Sequence, residues 1–85
     1  MKVFVVTTHC EYEGNCPETY VEGVTDSREK AETIRTEAFE QQRKLNWANI
    51  DKENIEEEHY DNYSTLYDTC DSNYLRVEIW EKDVE

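Results

Sequence analysis

Two short constellations carry residue types that do chemistry. His9 and Cys10 put a base beside a thiol, and nucleophilic catalysis asks for that pair plus a third group that orients the base. Both fall in a run of strand-forming residues, where consecutive side chains point to opposite faces. A base and nucleophile so placed do not meet, and they read as a structural histidine and a small thiol. The second constellation is Glu56-Glu57-Glu58-His59. On a helix, Glu56 and His59 at i and i+3 would share a face, as in carboxylate metal sites. One such pair supplies two ligands only, so the preferred reading is a solvated acidic face.

Other spacings close further routes. Cys10 and Cys16 have no second Cys or His pair to complete a zinc site. Asp68, Asp71 and Asn73 lack the glycine turn and terminal glutamate of a calcium loop. With two glycines in the chain, neither a phosphate loop nor a dinucleotide fingerprint can be written. The expectation is a protein that is not an enzyme, with no catalytic residue, metal or cofactor.

Charge narrows the partners. The 85 residues hold 9 basic and 21 acidic side chains, a net charge of −12. Direct nucleic-acid binding relies on basic residues that release counterions from phosphates, so it is not expected. A basic protein surface is the natural complement, and solubility is the simpler role for the charge. A chain of this length predicts a single domain over 1–85 with modest burial. No leading apolar segment or membrane-spanning run is present, which predicts a cytoplasmic protein without membrane contact. Cys10, Cys16 and Cys70 then read as free thiols, a Cys10–Cys16 bridge being the alternative.

The elements that must position these residues centre on the stretch from Gly23 to Trp47. Asp26 is expected to cap a helix over Ser27–Asn46, with Glu29 at N3. Ala31, Ile34, Ala38 and Leu45 form its apolar stripe, with Phe39 on the shoulder. Two alanines in that stripe indicate close approach to a flat surface such as a sheet. Before the helix, Val3–Thr8 reads as an interior strand and Thr19–Val24 as its antiparallel return, the turn holding Gly14 and Pro17. After it, Asp51 as N-cap with Ile50 and Ile55 as a hydrophobic staple predicts a short acidic helix from Lys52 to about Tyr60. Tyr63–Thr69 fits either period and is assigned as a strand, because β-branched and aromatic residues dominate. Tyr74–Lys82 is the clearest strand of the second half, with Leu75, Val77 and Ile79 on one face.

The opening Met1-Lys2-Val3-Phe4-Val5-Val6-Thr7, followed by Gly23-Val24-Thr25-Asp26-Ser27-Arg28-Glu29-Lys30-Ala31, resembles a family of short bacterial and phage proteins. Those share a first strand and a Gly-Val-x-x-Ser-x-Glu-Lys-Ala helix entry. The resemblance implies a β-β-α-β plan and no activity. The segment after the helix is longer and more acidic here than in that family.

Together these readings predict an α+β fold, an antiparallel sheet of three or four strands covered on one face by one long helix, plus the short acidic helix. Two functions fit. Residues 51 to 61 carry six acids against one lysine. Glu53, Glu56, Glu57, Glu58 and Asp61 could therefore imitate a row of phosphates and block a basic nucleic-acid-binding protein, as phage inhibitors of restriction or CRISPR nucleases do. In the alternative, the uncovered sheet face presents Tyr20, Tyr74 and Trp80 to another protein or to a second copy of the chain.

Overall fold

The alternation that begins at Phe4 runs well past the β-branched segment. In the computed structural model, which describes residues 1–84, β1 spans Lys2–Glu11 and buries Phe4, Val6, Thr8 and Cys10. The chain then turns, with Asn15 N–H donating to the Tyr12 carbonyl at 3.0 Å. Gly14 takes a φ of 81° there, a region that side chains with a Cβ avoid. β2 (Glu18–Thr25) returns antiparallel, and its register against β1 slips between Val6 and Thr7. Glu22 is the extra residue, so β2 carries a bulge that re-aims the side chains beyond it.

The helix α1 (Arg28–Asn46) is capped by Ser27 rather than Asp26. Ser27 Oγ accepts from the Lys30 N–H at 3.3 Å, and the Ser27 N–H donates to Thr25 Oγ1 at 3.2 Å. Thr25 thus holds the N–H of the capping residue itself. Ala31, Ala38 and Phe39 are buried, and Ile34 packs beside them. Leu45 does not belong to this stripe, being 68% exposed. The buried side turns instead through Gln42 to Trp47, toward Ile50 and Ile55, and carries Leu45 off the sheet. Close approach is visible at Gly23, where a Cβ would lie 2.9 Å from Ile34 Cδ1.

The second half departs from the expected plan. Lys52–Asn54 make a single 3₁₀ turn, and Asp51 before it forms no side-chain cap. Ile55–His59 is then a strand, β3, where residue preference alone predicts a helix. Glutamate favours helix only weakly, and tertiary pairing overrides such a preference. Here the pairing is with β4 (Tyr63–Asp68), joined to β3 by a short turn in which Tyr60 N–H donates to the Tyr63 carbonyl at 2.8 Å. β4 pairs in turn with β5 (Tyr74–Asp83). The sheet has five antiparallel strands in the order β2-β1-β5-β4-β3, not three or four, and the chain runs β-β-α-β-β-β.

The core lies between α1 and one side of this sheet. Val6, Leu66, Leu75, Val77 and Ile79 meet Ala31, Ala38, Phe39 and Trp47. Burying a side chain such as Phe39 contributes about 2–3 kcal/mol, while polar contacts fix the arrangement. Arg28 donates to Asn62 Oδ1 at 2.9 Å and Arg35 to the Asp61 carbonyl at 2.9 Å, tying the helix to the β3–β4 turn. At the other end Asp68, 1% exposed, accepts from the Cys70 N–H at 2.9 Å and from Asn73 Nδ2 at 3.1 Å. Asn73 Oδ1 also accepts from the Glu13 N–H at 2.7 Å, so one asparagine joins the two loops at that end of the sheet.

Candidate interaction surface

Paired residues in an antiparallel sheet project to the same side, so the registers sort every strand residue by face. Thr8, Val77 and Ser64 align under the helix, and His59 lies opposite Ser64. The other face collects Val5, Val24 and Trp80 in one row, Thr7, Val21, Glu78 and Tyr63 in a second, and Glu11, Tyr74, Tyr67 and Glu56 in a third. No element covers this face among the described residues. Trp80 is 44% exposed, and Val21, Val24, Tyr60 and Tyr67 are exposed with it.

Side-chain contacts stiffen that surface. Arg76 stands over the Tyr63 ring, 4.0 Å from its centroid, and donates from Nε to Glu78 Oε1 at 2.9 Å. Tyr60 and Tyr63 pack at 4.6 Å between centroids. Trp80 Nε1 donates to Thr7 Oγ1 at 2.9 Å, with Lys82 Nζ 5.9 Å from its ring centroid. His9 and Tyr74 meet edge to face at 6.5 Å. The Tyr60 hydroxyl donates to Glu58, and accepting that proton's hydrogen bond, the carboxylate holds the phenol above its ordinary pKa.

The sequence-predicted site residues are split by this geometry. Tyr74 and Trp80 lie on the open face, as do Glu56 and Glu58. Tyr20 does not: it pairs with Thr8, whose side chain is buried under the helix. The bulge at Glu22 is the cause, since it shifts Tyr20 to the side opposite the one simple alternation gives. There the Tyr20 hydroxyl donates to Glu18, which pushes its pKa up to about 12. Glu57 also faces the helix, with Arg43 NH2 2.5 Å away and His59 Nε2 at 2.6 Å. The His59 hydrogen bond, followed by Arg43, holds the Glu57 carboxyl below the usual glutamate range despite partial burial. Glu53 sits in the 3₁₀ turn and Asp61 in the β3–β4 turn. The acids therefore do not form one row on a helix face.

The registers also place the two histidines. His59 meets Glu57, not Glu56, and its Nδ1 lies 2.8 Å from Ser64 Oγ. His9 and Cys10 point to opposite faces, with Cys10 buried. Burial raises the Cys10 thiol pKa, and all three cysteines are unpaired. Among the described residues no three His, Cys, Asp or Glu side chains converge to hold a metal ion. No helix there is long and apolar enough to cross a membrane.

Tyr60, Tyr63 and Tyr67 are not among the sequence-predicted site residues. Their signal is the period-two alternation of Tyr63, Thr65 and Tyr67, which becomes a surface only once β4 is seated beside β5. No curated protein and no solved structure matches the chain. Residues 1–83, which include all five strands and the helix, match the family described as Domain of unknown function (DUF7336), and the chain belongs to that family.

Proposed function

We propose that this chain is a non-catalytic binding module whose open sheet face takes a basic surface of another protein. The observation that carries the reading is the open sheet face on which Trp80 and Tyr67 are exposed and Tyr63 and Tyr74 half-buried, bordered by Glu56 and Glu58 on β3. Tyrosine and tryptophan are enriched among the few residues that dominate binding at protein interfaces, and flanking carboxylates steer a positive partner. Proteins that bind nucleic acid carry such surfaces, nucleases among them, and occupation of the groove would inhibit them. An anti-restriction or anti-CRISPR decoy is the specific form of this reading. It rests on the net charge of −12 and on Glu56 and Glu58, rather than on a helical row of phosphate mimics.

A second copy of the chain on the same face is the alternative. Charge disfavours it, because each copy brings a net −12 to the contact. The test is capture from a bacterial lysate by the wild type, Trp80→Ala and the Glu56→Gln/Glu58→Gln pair, at low and high salt, with light scattering of the purified chain. A nucleic-acid-binding protein that is lost with either variant and stripped by salt supports the proposal. Capture indifferent to all three changes would sink it, and a dimer abolished by Trp80→Ala would replace it with self-association.

A further inference from the structure

On the helix side of the sheet, away from the open face, the end of α1 and the residues leading into β3 frame a half-open cavity of about 260 Å³. Its wall is apolar, with Trp47, Ile55 and Leu66, and its rim carries Arg43, Lys44 and Lys52. Three of the chain's 9 basic residues meet here, in a sequence with 21 acids. Neither Lys44 nor Lys52 has a carboxylate within 4.0 Å among the described residues. Arg43 is anchored through NH2 to Glu57 at 2.5 Å, while its Nε is buried without a hydrogen-bond partner. Glu40 Oε1 stands 3.5 Å from that Nε, outside hydrogen-bond geometry. A further hollow of about 230 Å³ shares Arg43, Lys52 and Ile55 and is bounded by Glu57.

We infer that this cavity binds a small amphipathic carboxylic acid, its apolar part against Ile50 and Ile55 above the buried Trp47 and Leu66, and its carboxylate between Lys44, Lys52 and Arg43. The charge sets the sign of the ligand. In so acidic a chain, lysines gain most by pairing with the abundant carboxylates, yet Lys44 and Lys52 at this rim have none within 4.0 Å among the described residues, and unlike Lys30 and Lys82, which also lack one, they stand together at the mouth of an apolar hollow. Size sets the rest. A cavity of about 150 Å³ lined by aliphatic and aromatic side chains holds benzene, so this one has room for an aryl acid or an acyl chain of about eight carbons. An apolar pocket with a few converging polar groups is the common form of a small-molecule site, and Glu57, already engaged by Arg43 and His59, leaves the lysines to the ligand.

Octanoate is the probe and Trp47 the reporter. The chain has two tryptophans, so Trp80→Phe, on the opposite face, leaves Trp47 alone to report. Octanoate is expected to change Trp47 emission saturably, with one site by calorimetry. Lys44→Gln/Lys52→Gln in the same background should weaken binding roughly tenfold or more, and octanol, equal in length but neutral, should bind weakly and ignore the lysines. Both lysines lie at the surface, so circular dichroism and the melting temperature of the double variant should match the parent. No saturable response to octanoate, equal affinity in the lysine variant, or equal binding of octanol would each overturn the assignment. None of these outcomes touches the open sheet face.

Discussion

Replacing Thr8 by valine should stabilise the protein. Thr8 is 0% exposed, on the interior strand β1 beneath α1, and its Oγ1 has no hydrogen-bond partner. A buried hydroxyl left unpaired costs about 1–3 kcal/mol relative to its hydration in the unfolded chain. Valine keeps the shape and the β-branch, suits the strand, and removes that cost. Taking the lower end, a gain of about 1 kcal/mol raises the melting temperature of a domain this small by about 6 °C. In urea, with a slope of about 1 kcal/mol/M, the midpoint should rise by about 1 M. Thr8→Ser supplies the converse, since it keeps the orphan hydroxyl and deletes the methyl, at a cost of about 1 kcal/mol. Chemical denaturation of the three proteins side by side should rank valine above threonine above serine. If Thr8→Val is less stable than the wild type, the hydroxyl has a partner in the folded protein and the reasoning fails.

Gly23→Ala should cost under about 1 kcal/mol, because the new Cβ meets Ile34 Cδ1 at 2.9 Å and that methyl, at the end of a flexible side chain, turns aside. Ile34→Val removes that atom and should recover part of the loss in the double variant, as a four-way denaturation cycle would show. Asp68→Ala should cost about 1–2 kcal/mol by taking the buried carboxylate from the Cys70 N–H and Asn73 Nδ2 donors, each held at about 3 Å but within reach of water. A urea midpoint unchanged in that variant would remove Asp68 from the account of the turn. Glu57→Gln should cost less, under about 1 kcal/mol, because the pair with Arg43 is partly exposed and screened. Since folding lowers the Glu57 pKa, its contribution is present above the unfolded value near 4.3 and fades as pH falls through the folded value. The gap between wild type and Glu57→Gln should therefore close in acid, read from melts between pH 7 and pH 3.

Periodicity made the first half legible. Val3–Thr8, its antiparallel return and the long helix after them follow from residue type, though the cap falls on Ser27 and not Asp26, and Leu75, Val77 and Ile79 are buried as alternation requires. The features that escaped are those set by distant partners. Glu56, Glu57 and Glu58 favour helix locally, and only β4 on one side makes them a strand. Tyr20 sits on the wrong face for simple alternation because one bulged residue, Glu22, resets the count. Leu45 falls in phase with Ala38 yet is exposed, because Ile50 and Ile55, beyond the helix end, draw burial round to Trp47. The candidate surface was legible in part, through Tyr74 and Trp80, because β5 alternates cleanly. Tyr60, Tyr63 and Tyr67 join it only through the order of strands across the sheet.

That order also decides what the charge can do. β3 and β2 are the two edges of the sheet, and an edge strand with free N–H and C=O groups invites pairing with another chain. Three successive glutamates on β3 and the bulge on β2 both oppose it. Carboxylates on β3 thus have a structural role before any partner is considered, which keeps a second molecule off the edge while Glu56 and Glu58 still border the open face. The cations are deployed the other way. Arg28 and Arg35 are committed to the β3–β4 turn, Arg43 to Glu57, and Arg76 to Glu78 and the Tyr63 ring. Guanidinium groups that tie helix to sheet, or stiffen the face, do not neutralise the remaining surface. On the open face Glu56 has no cation within 4.0 Å among the described residues, it borders aromatic rings that the helix does not cover, and both properties come from seating β3 and β4 beside β5.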